Sequence, residues 1–392
     1  MSALTERPDR TGTRPLPPFT EEHDAFRAEV REFVQAEFRP HATEWEAAGW
    51  FPNEAFSKLA ERGWLGIKFP KEYGGLGGDY VMDAAFTEEL AHCGSGGLAA
   101  GLGAHMSIAM PPVWKFGTDE QKQRWLVPGI RAEKIGALGI TEPGAGSDVA
   151  GIRTVAKKVD GGYVLNGAKT FITNGCRADF VVTAVKTTSE GGHGGLSFVV
   201  VEKGMDGFDQ SKKLDKLGWR ASDTGELAFQ DVFVPDENLL GEENKGFYLI
   251  MANFQWERLL MAHGAIGSMR LMLESAVELA KTVTHGRSAA RHRVAEMALK
   301  LNAGEAITYH ALRKFGSGQD AIREVTMAKL VSQRGALEVA ESTMHLLSGG
   351  AGAWDEQRLL EVDRAVRDLR LGPIGGGTDE IMKEILGKQM GL

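Results

Sequence analysis

The sequence predicts an α+β chain in which a helical N-terminal part, a β middle part and a helical C-terminal bundle follow one another. Three observations lead there. Apolar residues recur at helical spacing up to about residue 133 and again from about residue 245. Between these zones the period falls to two, with turn residues separating short apolar runs. Prolines punctuate the first zone and are sparse in the last. The expected units are an all-α domain at 19–134, a β-barrel or sandwich domain at 135–244 and a four-helix bundle at 245–392, after a disordered tail at 1–18.

In the first zone Phe26, Val30, Phe33, Val34 and Phe38 share one helical face, and Pro40, Pro52 and Pro70 break the segment. Gly74-Gly75-Leu76-Gly77-Gly78 reads as a loop, for which mere flexibility is the plainest account. The most apolar window, 97–114, is interrupted by His105, Pro111 and Pro112 and reads as a buried helix, not a membrane span. In the second zone, runs at 154–159 and 163–165 flank Asp160-Gly161-Gly162 as a hairpin. Further strands are expected at 180–185, 196–201 and 226–234, with the glycine tract 191–195 as a turn. In the third zone Val294, Met297, Ala298 and Leu301 form one stripe, and Ala336, Val339, Ala340, Thr343 and Leu347 another. Glycines at 349–352 and 375–377 separate the last helices. This order is not that of a doubly wound sheet, which argues against a nicotinamide-type Rossmann domain.

The chain has 392 residues, 43% of them hydrophobic and 25% charged, enough for a large core. A net charge of −8, with no Lys/Arg-rich run, argues against a nucleic-acid partner. An anionic substrate would have to be held by local positive groups and backbone N–H donors. Cys93 and Cys176 make no disulfide framework, and no Cys/His spacing fits a metal site, so no metal is expected and a reducing cytoplasm fits. The tail lacks the apolar core of a signal peptide.

Two features carry chemistry. Glu257 shares a helical stripe with Ile250, Phe254, Met261 and Ala265. A carboxylate among apolar neighbours has its charged form disfavoured, which raises its pKa and suits a general base near neutral pH. The same pattern also suits a Glu that is salt-bridged or turned to solvent. Gly139-Ile140-Thr141-Glu142-Pro143-Gly144-Ala145-Gly146-Ser147-Asp148-Val149-Ala150-Gly151 has glycines for close backbone approach, N–H groups for an anion and hydroxyl donors in Thr141 and Ser147. A surface turn would account for the glycines equally well.

As a whole string, however, that loop resembles the flavin-binding signature of the acyl-CoA dehydrogenases. Asn166-Gly167-Ala168-Lys169-Thr170-Phe171-Ile172-Thr173-Asn174-Gly175 is similar to the family's second flavin segment. Leu214-Asp215-Lys216-Leu217-Gly218-Trp219-Arg220-Ala221-Ser222-Asp223-Thr224 resembles the turn before its last β-domain strand. Gly241-Glu242-Glu243-Asn244-Lys245-Gly246-Phe247 resembles the start of its long helix, and 374–386 its C-terminal flavin segment. The resemblance implies FAD held by Leu138, Ile140, Thr141, Gly146, Ser147, Phe171, Ile172, Thr173, Gly349, Gly350, Thr378 and Glu380. It implies an acyl-CoA thioester contacted by Ser147, Phe254, Arg258, Gly376 and Gly377.

The family's commonest pattern puts the catalytic Glu between an aromatic residue and Gly-Thr; here that position is Gly376. A branch that includes isovaleryl-CoA and long-chain acyl-CoA dehydrogenases instead carries its base on the long helix within Glu-Arg-Leu, and Glu257-Arg258-Leu259 resembles that motif. The two positions are expected to reach the same point, where paired carboxylates would oppose each other's ionisation. Glu257 is therefore the expected catalytic residue, and Gly375 and Gly376 are expected to leave extra room beside the thioester.

The implied reaction is FAD-dependent α,β-dehydrogenation of an acyl-CoA to the trans-2-enoyl-CoA, in the setting of fatty-acid β-oxidation. Glu257 would take the α-proton while the β-hydrogen passes as hydride to flavin N5. The implied partners are an electron-transfer flavoprotein and further copies of the chain, as a dimer or tetramer. One departure stands out. The join Lys281-Thr282-Val283-Thr284-His285-Gly286-Arg287-Ser288-Ala289-Ala290-Arg291 lacks the family's Arg-x-x-Phe-Gly stretch, and Leu346-Leu347-Ser348-Gly349-Gly350 lacks its Gln. This puts the hold on FAD and the tetramer in question, with Arg287 or Arg291 as substitute phosphate contacts. The alternatives are a flavin oxidase or monooxygenase, a dehydrogenase of carrier-protein thioesters, or a flavin-poor non-catalytic partner subunit.

Overall fold

The N-terminal helix Glu21–Glu37 is set by its pattern: Thr20 caps it, and Val30 and Val34 face inward with the neighbouring Phe38. This is a computed structural model, and it describes residues 18–188, 192–283, 286–348 and 356–392. The tail expected to be disordered falls at 1–17 outside the described residues, as do Gly349 and Gly350.

The fold is that of an α+β chain in which helices precede and follow one sheet in the sequence. Helices Ala42–Ala48, Glu54–Glu61 and Tyr80–Leu90 follow the first, and a continuous helical run at 96–116 contains a π-helical segment, Ala104–Ala109. The glycine loop at 74–78 is tied down by backbone hydrogen bonds. The N–H groups of Gly75, Leu76, Gly77 and Gly78 donate to carbonyls of Pro70, Gly66, Phe69 and Ile67, and a Cβ on Gly75 would overlap Phe69 O.

Eight strands follow: β1 Gly136–Gly139, β2 Val155–Val159, β3 Gly162–Ile172, β4 Phe180–Lys186, β5 Leu196–Glu202, β6 Phe208–Lys213, β7 Gly225–Pro235 and β8 Leu239–Leu240. They form one sheet in the order β6-β7-β3-β2-β4-β5-β8, and β1 pairs in parallel with β4. The expected β2–β3 hairpin is present, but β3 runs on to Ile172, and β1, β6 and β8 were not anticipated. Strands β4 and β5 are buried on both faces, so they read as continuous apolar runs. Phe180, Val182, Phe198 and Val200 share a core with the N-terminal helices, while Val181, Val185, Val199 and Val201 pack inside the sheet's other face.

His105 pins β1 to the π-helical segment. Its Nδ1 accepts from Gly136 N at 2.9 Å and its Nε2 donates to Gly129 O at 2.9 Å, which fixes a neutral ring whose pKa burial pushes down to about 4.

The C-terminal bundle comprises the long helix Gly246–Thr282, then Arg287–Gly316 and Ile322–Ser348, with Glu356–Asp368 and Asp379–Gln389 packed at its end. Ala336, Val339, Ala340, Thr343 and Leu347 are all buried, as the stripe requires. A buried ionic cluster ties this bundle to the N-terminal helices. Glu88 is fully buried and pairs with Arg27 at 2.8 Å, with His263 at 2.7 Å and with Arg270. No helix among the described residues is long and apolar enough to cross a membrane, and no group of His, Cys, Asp and Glu among them could hold a metal.

Candidate active site

Glu257 lies inward on the long helix, 8% exposed. It lines a narrow apolar crevice together with Pro112, Leu138, Ile140, Phe198 and Phe254. Burial pushes its pKa up to about 7, against the smaller opposing effects of a hydrogen bond from Asn253 and the charge of Arg258. The carboxyl group is thus poised between its two protonation states at neutral pH.

The crevice joins the helix to the first flavin-type segment, since Leu138 lies in β1 and Ile140 follows that strand. Hydrogen bonds join that segment to the second. Thr170 N donates to Thr141 O at 2.9 Å, and Lys169 Nζ donates to Ile140 O at 3.1 Å and to Glu142 Oε1 at 2.8 Å. Glu142 also accepts from the backbone N–H of Arg153 at 2.5 Å and of Thr154 at 2.9 Å. Both side chains of this pair are buried, and burial pushes the Lys169 ammonium down to about 8. The glycine loop is therefore braced at its base while Gly146 and Ser147 stay exposed.

The C-terminal turn is held from two helices. Arg258 Nε donates to Gly376 O at 3.2 Å, and Lys329 Nζ donates to Gly377 O at 2.7 Å. Arg258 is itself buried, although it is a charged residue of the long helix. The expected room at Gly376 is absent. Gly376 sits at φ 64°, and a Cβ there would overlap Met261 Sδ, one turn beyond Glu257. Thr378 caps the last helix by accepting from Ile381 N at 3.3 Å, and Glu380 is exposed on its first turn.

The residues present fit a flat aromatic cofactor. Phe171 is 67% exposed at φ 61°, an aromatic ring held out from a backbone conformation that non-glycine residues rarely adopt. Ile172 beside it is buried and Thr173 half-buried. In front of the glycine loop, a Cβ built on Gly144 meets nothing within 4 Å. Arg287 and Arg291 stand exposed at the start of helix Arg287–Gly316, where Arg287 Nε donates to Val283 O at 3.0 Å. Asn253, Lys169, Glu142 and Lys329 escaped the sequence reading. Only Asn253 left a signal there, as a second polar residue one turn from Glu257 on an apolar stripe.

The chain matches three family models: acyl-CoA dehydrogenase N-terminal domain over residues 20–133, middle domain over 137–232 and C-terminal domain over 244–391. It is 38% identical over 387 residues to the mitochondrial long-chain specific acyl-CoA dehydrogenase of Mus musculus, covering 95% of this chain and 87% of that protein. It is 36% identical over 373 residues to mitochondrial isovaleryl-CoA dehydrogenase of Arabidopsis thaliana, covering 93% and 90%. The crystal structure of a probable acyl-CoA dehydrogenase from Mycobacterium abscessus superposes with a TM-score of 0.90 at 41% identity, covering 95% of this chain and 99% of that one. More distant solved structures include an FAD complex of PigA, with 26% identity, TM-score 0.90 and coverage of 95% and 98%. They also include the prolyl acyl carrier protein oxidase AnaB, with 28% identity, TM-score 0.88 and coverage of 95% and 100%.

Proposed function

The chain belongs to the acyl-CoA dehydrogenase family, and from that premise we propose that it desaturates the Cα–Cβ bond of an acyl-CoA thioester to the trans-2-enoyl-CoA, with Glu257 as the base. It is an FAD-dependent oxidoreductase. The observation that carries the assignment of the base is a buried carboxyl group, facing an apolar crevice with a pKa near 7, in the sequence Glu-Arg-Leu.

Leu138, Ile140, Thr141, Gly146, Ser147, Phe171, Ile172, Thr173, Thr378 and Glu380 would hold FAD; Gly349 and Gly350, also expected there, lie outside the described residues. When bound, FAD supplies the acceptor for the β-hydrogen as hydride. The Glu257 carboxylate takes the α-proton and becomes a neutral acid, the form that its apolar surroundings favour. Among the described residues, no acceptor is bonded to the N–H of Gly376, which leaves it to polarise the thioester carbonyl. Arg258 and Lys329, bonded to the Gly376 and Gly377 carbonyls, would hold in place the turn that carries this N–H. Phe254 and Ser147 would bound the substrate.

Arg287 or Arg291 would supply a contact to the FAD phosphates, with retention of flavin by the doubly substituted protein as the result that refutes it. An electron-transfer flavoprotein as acceptor, a dimer or tetramer and a cytoplasmic setting complete the proposal. The test is an anaerobic screen of acyl-CoA thioesters for flavin bleaching in the wild type and in Glu257→Gln. Bleaching by at least one thioester, lost in the variant, is expected. Bleaching at equal rates in both rejects the base, and fast reoxidation by air alone assigns oxidase chemistry instead.

A further inference from the structure

We propose that Asn253 is a positioning residue for Glu257, anchored to the Ile108 carbonyl of the helical run that carries Pro111 and Pro112. The inference rests on Glu257 being the base. Pro111 and Pro112 lie inside the helical run 96–116. Pro112, four residues on from Ile108, has no N–H to give its carbonyl in α-helical pairing, and Ile108 lies in the π-helical segment, where pairing reaches five residues on. The π-helical turn at Ala104–Ala109 sits where the two prolines interrupt the ladder.

Asn253 Nδ2 donates to Ile108 O at 3.4 Å and to Glu257 Oε1 at 2.5 Å. Both neighbours are acceptors, so the network fixes which end of the amide faces them. One NH₂ group thus spans from the helical run 96–116 to the carboxyl group one turn along its own helix. Asn253 and Pro112 both line the crevice that Glu257 faces. Asn253 holds the carboxyl oxygen at a fixed place in that crevice. A donor to the ionised form also counters part of the rise in pKa that burial imposes.

The other charged group that acts on Glu257 is Arg258 on the same helix. The sheet and helix residues across the crevice, Pro112, Leu138, Ile140 and Phe198, carry no charge. Lys68 approaches the ring of Trp256 at 5.7 Å, on the adjoining face of the helix, and pairs there with Asp83 at 2.5 Å.

The FAD-loaded enzyme is titrated by infrared difference spectroscopy, following the protonated-carboxyl band that disappears in Glu257→Gln. In Asn253→Ala the midpoint of that band moves up by about one pH unit, as expected for loss of one hydrogen bond to a charged group. The acid limb of flavin reduction, with octanoyl-CoA and isovaleryl-CoA as probes, moves with it, and Asn253→Gln restores part of the shift. Asn253→Leu, which keeps the volume without the donor, covers the case in which the alanine variant does not fold. An unmoved midpoint in the variants that fold overturns the proposal. Wild-type flavin reduction by Glu257→Gln instead overturns the base assignment itself, so the two failures are told apart.

Discussion

Arg258 Nε donates to the carbonyl oxygen of Gly376 at 3.2 Å, tying the residue beside the base to a turn 118 positions further on. Its guanidinium also lies 5.5 Å from the centroid of the Phe254 ring. Lysine keeps the charge but not the planar donor geometry. Arg258→Lys is expected to lower kcat/KM by about 10- to 100-fold, the equivalent of one charged hydrogen bond. FAD content should be unchanged, and stopped-flow bleaching beside a flavin spectrum checks both.

Glu257 must be ionised to accept a proton, and burial raises its pKa to about 7. Below that value the protonated form dominates and the base is lost. The rate of flavin reduction should therefore climb about tenfold per pH unit on the acid side and level off above about pH 7. A profile flat from about pH 5 to 8 would contradict it.

Moving the base to position 376 requires space that Met261 occupies. With Gly376 at φ 64°, the double variant Glu257→Gln/Gly376→Glu is expected to stay inert. Adding Met261→Gly removes the overlap and should return measurable bleaching. Equal inertness of the triple variant would show that the two positions do not converge on one point.

Glu88 is fully buried, and its pairing with Arg27 and Arg270 and the hydrogen bond with His263 hold its pKa well below 4.5 despite burial. A carboxylate depressed in the folded state stabilises the fold above its ordinary pKa and loses that contribution as pH falls toward the folded value. Wild-type stability should thus decline below about pH 4.5, and Glu88→Gln should cost about 3–5 kcal/mol at pH 7 by leaving guanidinium groups uncompensated. Denaturant unfolding at both pH values measures this.

Lys169 braces the glycine loop through Ile140 O and Glu142. Lys169→Met should fold, because Glu142 keeps two backbone donors, but weaken FAD retention by about tenfold. Equilibrium dialysis against FAD reads the change.

The helical zones were legible because one face of each helix is apolar, and Glu257 stood out as the charge on such a face. The missed strands carry weak patterns. Strand β6 is an exposed edge of mostly polar residues, β8 is two residues long, and β1 contains two glycines. The room expected at Gly376 was wrong because a glycine says nothing of what fills the space in front of it, and Met261 does. The Lys169–Glu142 brace was invisible because its partners lie 27 residues apart and meet only when β3 passes under the loop. Asn253 could be seen as a polar neighbour, but its second partner, Ile108 O, is a backbone group with no sequence signature.

The sheet's inner residues Phe180, Val182, Phe198 and Val200 complete a core begun by helices nearer the N-terminus. During synthesis those helices leave the ribosome first, with their apolar contacts to the sheet still to be made. Excising the middle strands as a separate fragment would lay these four side chains bare to solvent, a surface that invites self-association. Deletion mapping of this chain by zones is thus expected to yield insoluble pieces, even where the cuts fall in loops.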